Sequence, residues 1–146
     1  MDEEYDKLKT KVLRYVLYKK RTENEVRQKF AENTGNILEN IIEYLKQEDY
    51  INDGRYIEKS VNEFKALKNM SIKEVKYKLI SKGIKLNLID DYIYNNKESL
   101  LEYEIASAKN ILIKKANMLE QNEIIEYLNK KGYMRESINI ALEDLT

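Results

Sequence analysis

Thr22-Glu23-Asn24-Glu25-Val26-Arg27-Gln28-Lys29-Phe30 is the stretch from which the fold is read. A hydroxyl followed three residues later by Glu is a capping box. The hydroxyl accepts from the amide three residues on, and the carboxylate reaches back to the first amide. Val26 and Phe30 lie one helical turn apart and supply a buried face, and Asn33-Thr34-Gly35 is expected to stop this helix. Upstream, Leu8, Val12, Leu13, Tyr15 and Val16 form a helical stripe between Tyr5 and about Lys20. Downstream, Ile37, Leu38, Ile41, Ile42 and Leu45 predict a third helix ending near Asp49. Short turns between such helices make a small bundle.

The pattern recurs. A shift of 49 aligns Thr22, Glu25, Val26 and Phe30 with Ser71, Glu74, Val75 and Leu79, and a second shift reaches Glu120, Glu123, Ile124 and Leu128. Gly83 and Gly132 are also 49 apart, while Gly35 is displaced by one residue. After that displacement Ile41 and Leu45 correspond to Ile89 and Ile93, then to Ile138 and Leu142. The first helices agree less well, although Val12 and Tyr15 match Val61 and Phe64. The expected architecture is all-α: three tandem three-helix repeats, at 1–49, 50–96 and 97–146, stacked into an elongated, curved array. The alternative is one globular bundle of nine helices whose spacing agrees by accident.

Composition supports helices and excludes much chemistry. The 146 residues carry 26 Lys+Arg against 26 Asp+Glu, with four Gly and no Pro, Cys, His or Trp. No disulfide, thiolate nucleophile, iron–sulfur cluster or Cys-type zinc site can form. The usual general base near neutral pH is missing as well. Neighbouring carboxylates such as Asp90-Asp91 and Glu3-Glu4 point in different directions on a helix and read as solvated surface. No catalytic, cofactor-binding or metal set is therefore expected. No window approaches 18 uncharged apolar residues, since Asn110-Ile111-Leu112-Ile113 is stopped by Lys114-Lys115. Met1-Asp2-Glu3-Glu4 is acidic where a signal peptide needs positive charge. These features predict a cytoplasmic protein with no membrane partner.

Neutrality conceals segments of opposite sign. Residues 65–85 hold Lys65, Lys68, Lys73, Lys76, Lys78, Lys82 and Lys85 against the single Glu74. Residues 86–106 hold Asp90, Asp91, Glu98, Glu102 and Glu104 against Lys97. Lys11, Arg14, Lys19, Lys20, Arg21, Arg27 and Lys29 form a comparable basic zone in the first unit. One such zone is often an ordinary solvated face; two at equivalent repeat positions favour a partner-facing surface. Of the twelve Tyr, Tyr15, Tyr44, Tyr92 and Tyr127 fall in helical apolar patterns and are expected in the core. Tyr18 and Tyr77 lie beside the basic zones and are ambiguous between packing and base stacking.

Three further elements resemble a known family. Tyr50-Ile51-Asn52-Asp53-Gly54-Arg55-Tyr56 is similar to its Leu-Ile-Asp/Asn-Asp-x-Arg-Phe/Tyr segment. Met70-Ser71-Ile72-Lys73, then Leu79 and Lys82-Gly83-Ile84, resemble its helix leading to Lys/Arg-Gly-Ile/Val. Arg21 to Phe30 is similar to its Arg-Ser/Thr-x-x-Glu-Leu/Val-Arg-x-Lys-Leu element. This is the pattern of the RecX family, regulators of the bacterial recombinase RecA. It is strongest at residues 12–84 and faint in the third unit, and Gly54 departs from the usual helix former.

The resemblance implies a monomeric, non-enzymatic protein that binds along the groove of the RecA–DNA filament, touching its single- or double-stranded DNA. It would modulate, mostly by inhibition, ATPase, coprotease and strand-exchange activity in recombination and repair. Asn52 or Asp53 is placed to cap a helix, Arg55 to pair with a carboxylate of a neighbouring unit, and Tyr56 to begin a buried face. Those residues and Gly83 read as structural. The partner-binding candidates are Arg14, Lys19, Lys20, Arg21, Arg27, Lys65, Lys68, Lys73, Lys76, Lys78 and Lys82. A helical DNA-binding protein acting without a recombinase is the alternative, as is an adaptor exposing an apolar groove to another protein.

Overall fold

The computed structural model describes residues 3–33 and 35–146. Met1 and Asp2 of the acidic N-terminus, and Thr34 of the expected turn, lie outside the described residues. Among the described residues the chain is wholly helical: α1 (Glu3–Tyr18), α2 (Glu23–Lys29), α3 (Asn36–Gln47), α4 (Asp53–Leu67), α5 (Ile72–Ser81), α6 (Leu86–Asn95), α7 (Lys97–Lys115), α8 (Gln121–Lys131) and α9 (Arg135–Asp144).

Helix starts follow from local chemistry. The two hydroxyl capping boxes form, Thr22 with Glu25 opening α2 and Ser71 with Glu74 opening α5, and Glu120 with Glu123 makes a carboxylate version at α8. Asn52 caps α4 by accepting from the Arg55 amide at 3.0 Å. Acidic Glu3, Glu4 and Asp6 sit in the first turn of α1, where they complement the positive end of the helix dipole. One boundary differs from the sequence reading. Helix α2 ends at Lys29 with Phe30 as its C-cap, and Gly35 serves as the N-cap of α3 instead of stopping α2. Phe30 takes φ −111°, ψ 29°, outside helical values, so the buried ring sits at the turn itself.

Buried apolar side chains fall into three clusters. The first joins Leu8, Val12 and Val16 of α1 to Val26, Phe30, Leu38, Ile41, Ile42 and Leu45, and it reaches beyond α3 to Ile51. The second unites Ile57 and Val61 of α4 with Val75, Leu79, Ile84 and Ile89, and takes in Leu100 and Tyr103. The third contains Ala108, Ile111, Leu112, Ile124, Leu128, Tyr133, Ile138 and Ala141. Helix α7 therefore serves two cores, its first turns sealing the second and its later turns building the third against α8 and α9. A helix clamped between neighbours needs apolar residues on more than one face, which α7 has. No helix among the described residues is long and apolar enough to cross a membrane.

Candidate functional site

The eleven basic candidates separate by what their charges touch. Arg27 is committed to Glu23 at 2.9 Å and to Glu39, Lys76 to Asp90 at 2.9 Å, and Lys82 to Glu25 at 3.6 Å. Arg21 lies 3.8 Å over the Tyr15 ring and donates to the Tyr15 carbonyl. Lys65 donates to the Ser99 hydroxyl at 2.6 Å. Lys68 ends α4 in the left-handed conformation, its carbonyl accepting from Asn110. Lys73 lays its stem against Gly132. Arg14, Lys19, Lys20 and Lys78 are exposed, and among the described residues no carboxylate lies within ion-pair distance of them. Lys19 and Lys20 come together in one cavity of about 270 Å³, shared with Tyr56, Lys59, Ser60 and Glu63 of α4. Lys59 was not a sequence candidate, because its pairing with the loop after α1 has no local signal.

The recurring capping boxes turn out to do two jobs. The Thr22 hydroxyl accepts from the Glu25 amide at 3.1 Å and donates to the Lys82 carbonyl at 2.8 Å. The Ser71 hydroxyl accepts from the Glu74 amide at 3.0 Å and donates to the Lys131 carbonyl at 2.7 Å. Each donation spans 60 residues, and each hydroxyl residue is fully buried. Above each bond sits an ion pair, Lys82 with Glu25 and Lys131 with Glu74 at 3.1 Å. Beside each lies a glycine with positive φ, Gly83 against Asn24 and Gly132 against Lys73. All these partners are displaced by the same 49 residues, so one joint is built twice. A serine or threonine is required because, among good N-caps, only a hydroxyl can accept and donate through a single atom. The third copy of the position is Glu120, which is exposed and carries no hydroxyl.

Carboxylates complete each joint. Asp53 accepts from the Glu23 amide at 2.9 Å, so it caps the start of α2, while Asn52 alone caps α4. Burial pushes the Asp53 carboxyl above its ordinary value of 3.8, offset in part by the Glu23 amide. Burial also opposes ionisation of Glu23, but hydrogen bonds from Arg27 and Lys46 outweigh it and hold that carboxyl below its ordinary range. At the second joint Glu104 accepts from the Ile72 amide at 2.8 Å and from the Met134 amide at 2.7 Å. It is 0% exposed, so the acidic surface of 86–106 is one charge smaller than its sequence implies. Nearby, the Tyr103 hydroxyl donates to the Met70 carbonyl at 2.7 Å, and Ser107 and Tyr133 share a hydrogen bond of 2.6 Å. Burial pushes both phenols up.

Arg55 pairs with Asp49, across the expected boundary between the first two units, and Tyr56 is half-buried beside fully buried Ile57. Tyr15, Tyr44 and Tyr92 pack against the cores as expected. Tyr127 does not. It is 36% exposed because Ile124 and Leu128 already take the inward face of α8, and its ring is covered by Lys115 and Lys131 at 4.6 and 5.5 Å. Among the ambiguous pair, Tyr18 is 83% exposed and Tyr77 59%. Among the described residues, no group of three or more carboxylates is arranged to hold a metal ion.

No family model matches the chain. Two solved RecX structures share its fold. The crystal structure of RecX from Lactobacillus salivarius has a TM-score of 0.82 at 24% identity, covering 99% of this chain and 98% of that one. A second crystal structure of regulatory protein RecX has a TM-score of 0.80 at 22% identity. Among curated relatives, regulatory protein RecX of Clostridium beijerinckii is 31% identical over 92% of this chain and 66% of its own length. That of Staphylococcus haemolyticus is 32% identical, but this chain spans only 52% of it. Regulatory protein RecX of Clostridium acetobutylicum is 30% identical over 154 residues, which cover 99% of this chain and 71% of the relative. With that identity sustained across both proteins, the chain belongs to the RecX family.

Proposed function

We propose that this protein is a non-enzymatic regulator that binds the RecA–DNA filament along its groove. There it restrains ATPase, coprotease and strand-exchange activity. Membership of the RecX family carries this reading. The joint that recurs every 49 residues supports the accompanying division into three units, 1–49, 50–96 and 97–146, since the same contacts at both seams apply the same placement twice. Units set in line this way would give an elongated, curved array suited to a groove.

Charge supports the same role in a narrower form than the sequence implied. Arg27, Lys76 and Lys82 spend their charges inside the molecule, whereas Arg14, Lys19, Lys20 and Lys78 face outward. Outward cations steer association with an acidic or nucleic-acid surface and set its salt dependence. The test is RecA's DNA-dependent ATPase and strand exchange with the regulator titrated in. Inhibition well below one regulator per recombinase subunit is expected. Unchanged activity at an equimolar ratio would remove the proposal.

A further inference from the structure

The two joints are copies at their hydroxyls but not around them. Helix α7 is bound into the second joint along several turns. Its Tyr103 hydroxyl donates to the Met70 carbonyl at 2.7 Å, its Ser107 hydroxyl to the same oxygen at 3.2 Å, and Asn110 to the Lys68 carbonyl at 2.9 Å. Lys68 and Met70 belong to the turn between α4 and α5, and a shift of 49 places them on Lys19 and Arg21, between α1 and α2. There α4 makes no corresponding bond among the described residues. Arg21 turns back to Tyr15, and a cavity of about 270 Å³ lies between Lys19, Lys20 and the Tyr56 and Ser60 of α4.

The carboxylates differ in the same sense. Glu104 ties the start of α5 to the start of α9 through the Ile72 and Met134 amides. Among the described residues Asp53 takes only the Glu23 amide, the counterpart of Ile72. Lys85, the counterpart of Met134, borders a second cavity of about 410 Å³ together with Asp53, Lys46 and Leu88. Packing follows the hydrogen bonds. Leu100 and Tyr103 of α7 enter the second core while Ile111 and Leu112 build the third, whereas Ile57 and Val61 of α4 serve the second core alone. The connecting chain differs as well. Asn96 alone separates α6 from α7, but residues 48–52 separate α3 from α4, with Asp49 at φ 65°.

We propose that the first joint is a hinge and the second is rigid: the second and third cores move as one body, and the first core turns against them about residues 48–52. Motion concentrates where few buried contacts oppose it and where a linker can absorb a change of backbone angle. Opening the second joint would strand a buried carboxylate and split the packing of α7. At the first joint the Thr22–Lys82 bond is the pivot, and the two cavities give the rotation room. The inference concerns the free molecule and does not rest on the filament reading.

The experiment is double electron–electron resonance on the full chain, which has no cysteine of its own. Asn40 of α3, Asn87 of α6 and Asn122 of α8 are exposed, and cysteines placed there in pairs carry the spin labels. The pair N40C/N87C spans the first joint and N87C/N122C the second. The first distance distribution should be about twice as wide as the second. Amide hydrogen exchange gives an independent reading on the unaltered chain: Glu23 should exchange about tenfold faster than its counterpart Ile72. Equal widths, a wider second distribution, or exchange at Glu23 no faster than at Ile72 would overturn the hinge. Glu104→Asp, one methylene shorter, should widen the N87C/N122C distribution. An unchanged width there would overturn the assignment of the second joint's rigidity to Glu104. RecA is absent from these measurements, so they decide the hinge whatever the fate of the filament reading.

Discussion

The Thr22 hydroxyl gives its hydrogen to the carbonyl of Lys82, 60 residues downstream, while accepting the amide of Glu25. Start of one helix and end of another are thereby joined through a single oxygen. Both ends have backbone groups without helical partners, and a buried atom that satisfies one of each removes two penalties together.

Removing that atom should cost more than an ordinary cap. Thr22→Ala or Ser71→Ala should each lose about 2–3 kcal/mol, combining the cap with a stranded buried carbonyl. Thr22→Ser and Ser71→Thr keep the donor and should remain close to the parent. Glu120→Ala, at the exposed third copy of the position, should change stability by about 0.5 kcal/mol or less. Urea midpoints of the five variants would show this; equal losses at positions 22 and 120 would contradict the joint.

The paired glycines make an unequal prediction. A Cβ at Gly83 would stand 2.2 Å from the Asn24 side chain, whereas at Gly132 the nearest atom is Cδ of Lys73 at 2.8 Å. Both backbones have positive φ, so each alanine variant carries strain of about 1–3 kcal/mol. Gly83→Ala should fall further, because the Lys73 stem is long enough to move. Adding Asn24→Gly, which also removes the Asn24 Cβ at 2.4 Å, should recover part of the Gly83→Ala loss in thermal melts, and no recovery would place the clash elsewhere.

Asp53 should show itself in the pH dependence of stability. Burial raises its folded carboxyl above the ordinary 3.8, so the folded state holds the proton more tightly than the unfolded chain. The contribution is therefore fully present below 3.8 and is lost as pH rises through the raised value. Asp53→Asn keeps an oxygen for the Glu23 amide without a buried charge. Its stability relative to the parent should rise with pH across the carboxylate range and then level off. Glu23 has the opposite sign, its contribution being lost as pH falls.

Glu104 joins the beginnings of α5 and α9 from inside the molecule. Glu104→Ala strands two amides in a buried site and should cost about 3 kcal/mol or more. Glu104→Gln retains one accepting oxygen and should lose less. Amide hydrogen exchange at Ile72 and Met134 should accelerate together in the alanine variant. Acceleration at only one of them would show that the two helix starts are not coupled through this side chain.

What the sequence disclosed was whatever repeats along it. Capping boxes, apolar stripes and turn glycines have local spacing, and they placed the helices. Across-chain partners have none. Thr22 and Ser71 were legible as caps, but nothing adjacent marks Lys82 or Lys131 as their acceptors. Glu104 looked like one more surface acid, because burial depends on two amides from other helices. Arg27, Lys76 and Lys82 looked available for the same reason: Glu39, Asp90 and Glu25 reach them only through the fold. Tyr127 had the right helical phase for the core on α8, yet Ile124 and Leu128 had filled it.

Glu120 breaks the copying of the joint. A seam built from a hydroxyl, a lysine carbonyl and a glycine can be copied indefinitely, since each unit presents what the next requires. A carboxylate has no hydrogen to give at neutral pH, and an approaching helix end would set its own partial negative charge against a full one. The start of α8 therefore cannot repeat the hydroxyl joint that Thr22 and Ser71 make.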